Sequence, residues 1–175
     1  MDILIAPAWP AYALLDTGDG RRLERFGDVV ISRPDPQILW QPKLPPASWQ
    51  KADAVFDGRW KRSARVPDRG NMSWNTLSFW AKLTPFKHTG IFPEQIRHWE
   101  WMQSILQKEQ RPLRVLNLFA YTGIASLVAA SAGAIVTHVD ASKPSITWAK
   151  ENQIASGIAN DRIRWIAEDA LAFVA

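Results

Sequence analysis

Cysteine is absent from this 175-residue chain. Without a thiol its residues offer no disulfide, no thiolate metal site and no cysteine nucleophile. The absence suits a reducing compartment, so the expected location is cytoplasmic. Histidine is scarce, with three in all, and neither His88 nor His98 stands in a His/Asp/Glu cluster of metal-ligating spacing. No apolar run is long enough to span a bilayer, so no membrane partner is expected. The N-terminal stretch MDILIAPAWPAYALL is apolar, but it carries Asp2, Pro7 and Pro10 and lacks a basic flank. It reads as folded chain rather than as a signal peptide. There is no internal repeat, no G-x-G-x-x-G and no Walker lysine loop.

What is present is a globular composition, 47% hydrophobic and 22% charged, with a net charge of +4. That excess permits a nucleic-acid partner without requiring one. The ten tryptophans are a surplus, and eight of them precede residue 110. Large aromatics let a small module build a core from few residues, which is a better account here than base stacking on exposed rings. Residues 1–84 read as a small, mostly β module. Tyr12–Asp16 and Arg21–Phe26 form a hairpin around Thr17–Gly20, and Val29–Ser32 is a short strand. Ile38–Trp49, with three prolines, is loop or edge rather than helix. Lys51–Phe56 is either a strand or a single helical turn. Residues 59–69, RWKRSARVPDR, hold five basic residues against one acid. They read as a solvated loop, with contact to an RNA backbone as the other reading. Trp74–Leu83 reads as one strand.

Residues 85–175 form a second domain. Leu83–Gln95 is a loop, and Pro93 opens a helix to about Lys108 whose Ile96, Trp99, Met102, Ile105 and Leu106 mark one buried face. The stretch LRVLNLFAYTGIASLVAASAGAIVTHVD, Leu113 to Asp140, reads as strand, tight turn, helix, strand. Its strands are apolar throughout, which suits a parallel sheet covered on both faces. Two parallel strands joined by a helix make a right-handed βαβ unit. A third helix follows from the N-cap Ser142 to about Ser156, with Ile146, Ala149 and Ile154 as its apolar positions. A third strand covers Ile163–Ala167, and Asp169 is placed to cap a helix beginning at Ala170.

The carboxyl ends of three successive parallel strands share one crevice, where nucleotide-like ligands bind. That crevice would hold the Asn117–Gly123 turn, Asp140-Ala141-Ser142 and Glu168-Asp169. Gly123 permits close approach to the backbone, and the helix N-terminus behind it favours an anion. The Asp140 carboxylate has two acceptor oxygens for a pair of ribose hydroxyls. Asp169 can accept from the amino group of adenine, although helix capping is a serious competitor for that side chain. A dinucleotide pyrophosphate wants two or three glycines, and this turn has one. A ligand with ribose and adenine but no phosphate fits better, and S-adenosylmethionine is such a ligand.

Asn117-Leu118-Phe119-Ala120-Tyr121-Thr122-Gly123 resembles the first motif of class I S-adenosylmethionine-dependent methyltransferases. In its form N-x-F-A-Y-T-G it is similar to the branch with the ribosomal RNA large-subunit cytosine and guanine methyltransferases. Val139-Asp140-Ala141-Ser142-Lys143 resembles that branch's second motif and Glu168-Asp169-Ala170 its third. Phe86 to Gln95 resembles the K-T-G-x-F-x-x-Q segment that lies over the cofactor. The resemblance implies a Rossmann-like α/β fold, of which this chain supplies strands 1 to 3 of a parallel sheet ordered 3-2-1-4-5-7-6. It implies S-adenosylmethionine as cofactor and RNA, ribosomal RNA in particular, as substrate. Asn117, Phe119, Ala120, Tyr121, Thr122 and Gly123 would hold the methionine end, Asp140 with Ala141 and Ser142 the ribose, and Asp169 with Ala170 the adenine. Gln95 would lie on the methionine side, with Lys87 and Gly90 in the covering segment. No catalytic residue can be named, because the family's next strand, with its D-P-P-x-F/Y motif, has no counterpart here.

Physical chemistry raises the same point. Leu113–Leu118 is apolar like a central strand, yet with three strands it would be an exposed edge, which stable proteins avoid. The expectation is therefore the N-terminal part of a longer methyltransferase, a truncated gene product, or a chain completed by a partner, with weak cofactor binding at best and no turnover by itself. Two other classes compete: a dinucleotide-dependent oxidoreductase, since an acid after the second strand would serve there too, and a non-catalytic RNA-binding module.

Overall fold

The computed structural model describes residues 5–175. The chain divides into two compact units. One comprises residues 8–72 and 80–90. The other comprises residues 5–7, 73–79 and 91–175.

The first unit is built on a five-stranded sheet in sequential order: β1 (Tyr12–Gly18), β2 (Arg21–Phe26), β3 (Val29–Pro34), β4 (Ala54–Asp57) and β5 (Arg59–Arg62). The β1–β2 turn has its two central residues, Asp19 and Gly20, at φ 49° and 70°. That left-handed pair matches the twist of the flanking strands, which is why Asp-Gly is favoured there. Neighbouring strands are antiparallel except β3 and β4, which pair in parallel through Ile31 with Ala54. A helix of one turn, α1 (Pro46–Trp49), lies in the proline-rich stretch expected to hold none. Proline at a first helical position leaves an amide that would have had no partner anyway. Asp16 holds this stretch, accepting from the backbone N–H of Lys43 and Leu44 and from the Trp49 indole.

Residues 59–69 are not wholly loop. Their first four form β5, which pairs with β4 from Asp57–Arg59 to Ala54–Arg62. Much of their charge is locally answered: Lys61 bonds to Asp57, Arg62 to Asp68 and Arg65 to the buried Asp53. Pairing with its hairpin partner draws the first four of these residues into the sheet despite their charge.

The run from Trp74 to Leu83 is likewise not one strand. The chain turns at Asn75 (φ 51°), so β6 (Arg69–Trp74) and β7 (Leu77–Lys82) form a hairpin. Asparagine tolerates the left-handed conformation that the turn needs. Eight tryptophans are buried or half-buried, in keeping with a role in the core, whereas Trp40 and Trp101 are 54% and 65% exposed.

The second unit is α/β. A 3₁₀ turn (Pro93–Gln95) leads into α2 (Ile96–Leu106), followed by β8 (Arg114–Leu118), α3 (Ile124–Ser131), β9 (Ile135–Asp140), α4 (Lys143–Ala155), β10 (Ile163–Ala167) and α5 (Ala170–Val174). The three strands are parallel, in the order β10-β9-β8. Leu127, Val128, Ala129, Val136 and Val139 form a fully buried centre between α3 and β9. Two positions expected in apolar helix faces face solvent instead: Ile105 of α2 and Ile154 of α4, the latter 77% exposed. Trp148, Ala149, Asn152 and Gln153 line the inner face of α4 in its place. β8 is an edge of the sheet, and Leu116 is half exposed. No helix among the described residues is long and apolar enough to cross a membrane.

Candidate functional site: the carboxyl ends of the parallel strands

The turn between β8 and α3 departs from ordinary backbone geometry at alternate residues. Phe119, Tyr121 and Gly123 have φ of 54°, 51° and 81°. For the two aromatic residues the left-handed region costs about 1–2 kcal/mol each. The turn recovers this through bonds to the end of β9 and within itself. Ala120 N–H donates to the Val139 carbonyl at 3.1 Å, and Gly123 N–H to the Ala120 carbonyl at 3.0 Å. Tyr121 N–H donates to Asp140 Oδ2 at 2.7 Å. From the other side, Asn152 of α4 donates from Nδ2 to the Thr122 carbonyl at 2.9 Å.

Gly123 is required twice over. Its φ suits glycine, and a Cβ there would lie 2.8 Å from the Ala149 Cβ of α4. The sequence suggested that this glycine admits a ligand; the structure adds that it admits α4.

Asp140, the last residue of β9, is half-buried. Its Oδ1 accepts the Ser142 N–H at 2.8 Å while Oδ2 accepts from Tyr121. Each oxygen retains a lone pair for a further donor. Ser142 caps α4 by accepting the Ser145 N–H, and Ala141 between them is exposed. Asp169 is exposed at the end of β10 and caps α5, with Oδ1 accepting from Leu171 and Ala172; Ala170 is buried beside it. The capping role expected as a competitor is thus real. It occupies Oδ1, and no bond to Oδ2 accompanies it among the described residues.

Gln95 ends the 3₁₀ turn, exposed, with Oε1 2.8 Å from His98 Nδ1. Thr122 is buried, Asn117 half-buried and Phe119 72% exposed. Lys87 and Gly90 belong to the first unit, where Lys87 Nζ donates to the Pro34 carbonyl at 3.2 Å.

Several residues escaped the sequence reading. Phe92 and Trp148 flank the Tyr121 ring, at 5.5 and 6.4 Å between centroids. Beneath the turn, Asn117 Nδ2 donates to Ser126 Oγ at 2.9 Å, which in turn lies 3.0 Å from His138 Nδ1. Burial pushes the His138 pKa down from 6.5 to about 4, against the pull of the Asp140 carboxylate. The available signal was a polar residue interrupting an apolar strand and another interrupting an apolar helix.

No family model matches the chain. A crystal structure of a SAM-dependent methyltransferase from Agrobacterium tumefaciens superposes on 95% of it with a TM-score of 0.91 and 48% sequence identity. The chain is related to the S-adenosylmethionine-dependent methyltransferases. Among curated relatives, the ribosomal RNA large subunit methyltransferase K/L of Magnetococcus marinus is 35% identical over 101 residues, or 57% of this chain. The same enzyme from Pseudoalteromonas translucida is 36% identical over 97 residues. The chain spans 13% of the length of these curated methyltransferases and 55% of the A. tumefaciens protein. A putative methyltransferase from Streptococcus mutans, with a TM-score of 0.73 over 94% of the chain at 19% identity, shares the fold.

Proposed function

We propose that the second unit is the S-adenosylmethionine-binding half of a class I methyltransferase that acts on RNA, its three strands being the 3-2-1 side of a Rossmann-like sheet. The observation that carries this reading is Asp140. It is a half-buried carboxylate at a parallel-strand end, oriented by two backbone N–H groups, with a lone pair left on each oxygen. A ribose diol is a bidentate donor that such a carboxylate matches. The neighbouring turn carries one glycine and three left-handed residues, so it can line a compact ligand without passing a pyrophosphate.

In this reading the backbone from Asn117 through Phe119, Ala120, Tyr121 and Thr122 to Gly123 receives the methionine portion, its carboxylate facing the N-terminus of α3. Asp140 binds the ribose beside Ala141 and Ser142, and Asp169, through Oδ2, accepts from the adenine amine beside Ala170. Gln95 borders the methionine portion. The bound cofactor would supply a methyl group on a sulfonium, and this chain's residues orient it, a service that provides much of the rate in such transfers. An RNA substrate is supported by the names of the curated relatives and by the chain's basic excess.

Calorimetry with S-adenosylhomocysteine tests the reading. Binding by the wild type that is lost in Asp140→Ala supports it. Equal binding by both, or thermal stabilisation by NAD and not by S-adenosylhomocysteine, overturns it.

A further inference from the structure

Asn117, His138 and Trp165 are register partners on β8, β9 and β10, so their side chains share one face of the sheet. Ser126 of α3 is bonded into this row, and both Ser126 and His138 are completely buried. A hydroxyl has one proton to give. Ser126 Oγ accepts from Asn117 with one of its two lone pairs and lies 3.0 Å from His138 Nδ1, to which it can give its own proton when Nδ1 is bare. In that tautomer the ring proton resides on Nε2; Nε2 has no hydrogen-bond partner among the described residues. The Trp165 ring lies against the His138 ring, 4.5 Å away between centroids.

A buried Nε2 without a partner is a standing cost in either tautomer, and an apolar residue of similar size would avoid it. What the imidazole contributes is therefore at Nδ1. At the far end of the relay, Asn117 lies two residues before Phe119, the first left-handed residue of the turn. The turn is also held by Val139 at Ala120, by Asp140 at Tyr121 and by Asn152 at Thr122. The relay adds a side-chain hold where β8 leads into it.

We infer that His138 is a positioning residue for the cofactor turn: its bare Nδ1 takes the Ser126 proton, which aims a Ser126 lone pair at Asn117, and so fixes the exit of β8. This rests on the methyltransferase reading of the turn. Burial keeps the ring neutral at physiological pH, as the role requires.

The test uses the full chain and two readouts. Nitrogen-detected NMR of the free protein at neutral pH should show the Nε2–H tautomer at His138; the Nδ1–H tautomer overturns the inference. Affinity for S-adenosylhomocysteine is then compared across variants beside their melting temperatures. In His138→Asn the amide oxygen replaces Nδ1 as acceptor, and affinity should stay within about threefold of wild type. In His138→Leu and Ser126→Ala the relay is cut, and affinity should fall about tenfold, the worth of one positioned hydrogen bond. Loss that follows melting temperature in all three variants, rescue by Asn absent, shows a merely structural histidine and overturns the inference. Undiminished binding by His138→Leu does the same. A wild type that binds no S-adenosylhomocysteine overturns the proposed function and this inference with it, an outcome distinct from the others.

Discussion

Asp140 closes the turn after β8 by accepting the Tyr121 N–H at 2.7 Å while its other oxygen orders Ser142 at the start of α4. One side chain thus stitches together the ends of two βα connections and still faces the crevice with acceptor capacity. Asp140→Ala should lower S-adenosylhomocysteine affinity roughly 100-fold, since it removes charge-assisted acceptors and unties the turn. Asp140→Asn, which keeps one acceptor oxygen, should fall between. Isothermal titration of the three proteins checks the order.

Gly123 separates backbone strain from packing. Gly123→Ala should destabilise the second unit by about 2–4 kcal/mol, combining the cost of a positive φ with the 2.8 Å approach to Ala149. Gly133→Ala is the control. Its φ is also positive, at 94°, but a Cβ there meets nothing within 4 Å, so only about 1 kcal/mol is expected. Urea denaturation of both variants measures the difference.

In the first unit Glu24 is completely buried, accepting from Arg33 through both oxygens and from the Tyr12 hydroxyl at 2.9 Å. Burial, and then the Glu24 charge, push the Tyr12 phenol far up, so it remains a donor. Glu24→Ala leaves a guanidinium without its anion and should cost about 3–5 kcal/mol. A double replacement, Glu24→Leu with Arg33→Met, should recover most of that loss in chemical denaturation.

The stability of the chain should depend on pH through His138. Its folded pKa, pushed down to about 4 by burial, lies below the ordinary 6.5. Between these values the unfolded chain binds the extra proton, so stability is complete above about pH 6.5 and declines as pH falls toward 4, by an amount on the order of 3 kcal/mol. His138→Asn should flatten this window. Asp16 acts lower. Burial alone would raise its pKa, but hydrogen bonds from Leu44, Lys43, Thr17 and Trp49 bring it below 3.8, so its contribution holds above that value and is lost only as pH falls further. Thermal melts from pH 8 to pH 3 separate the two.

The order of elements in the second unit was legible from residue pattern alone. Apolar runs bounded by turns are local signals, and β10 begins and ends where the sequence places it, at Ile163 and Ala167. Ser142 and Asp169 as caps were legible for the same reason, because a cap is a contact between residues a few positions apart. The short errors were local conflicts settled at a distance. Residues 59–62 became a strand because β4 pairs with them, and Ile154 turned outward because Trp148 and Asn152 occupy the inner face of α4.

The sequence by itself determined that a compact turn with one glycine precedes a helix, that an acid ends the next strand, and that no thiol chemistry is open to these residues. Tertiary structure alone decided what those residues do to one another. That the Asp140 carboxylate holds the Tyr121 amide, that Gly123 is demanded by Ala149, and that Asn117, Ser126 and His138 form one buried relay are facts about residues 9 to 26 positions apart. Their juxtaposition exists only once β8, β9 and the helices between them have packed. Composition and spacing carry propensity, but a hydrogen bond needs two groups within about 3 Å, and only the folded chain sets that distance.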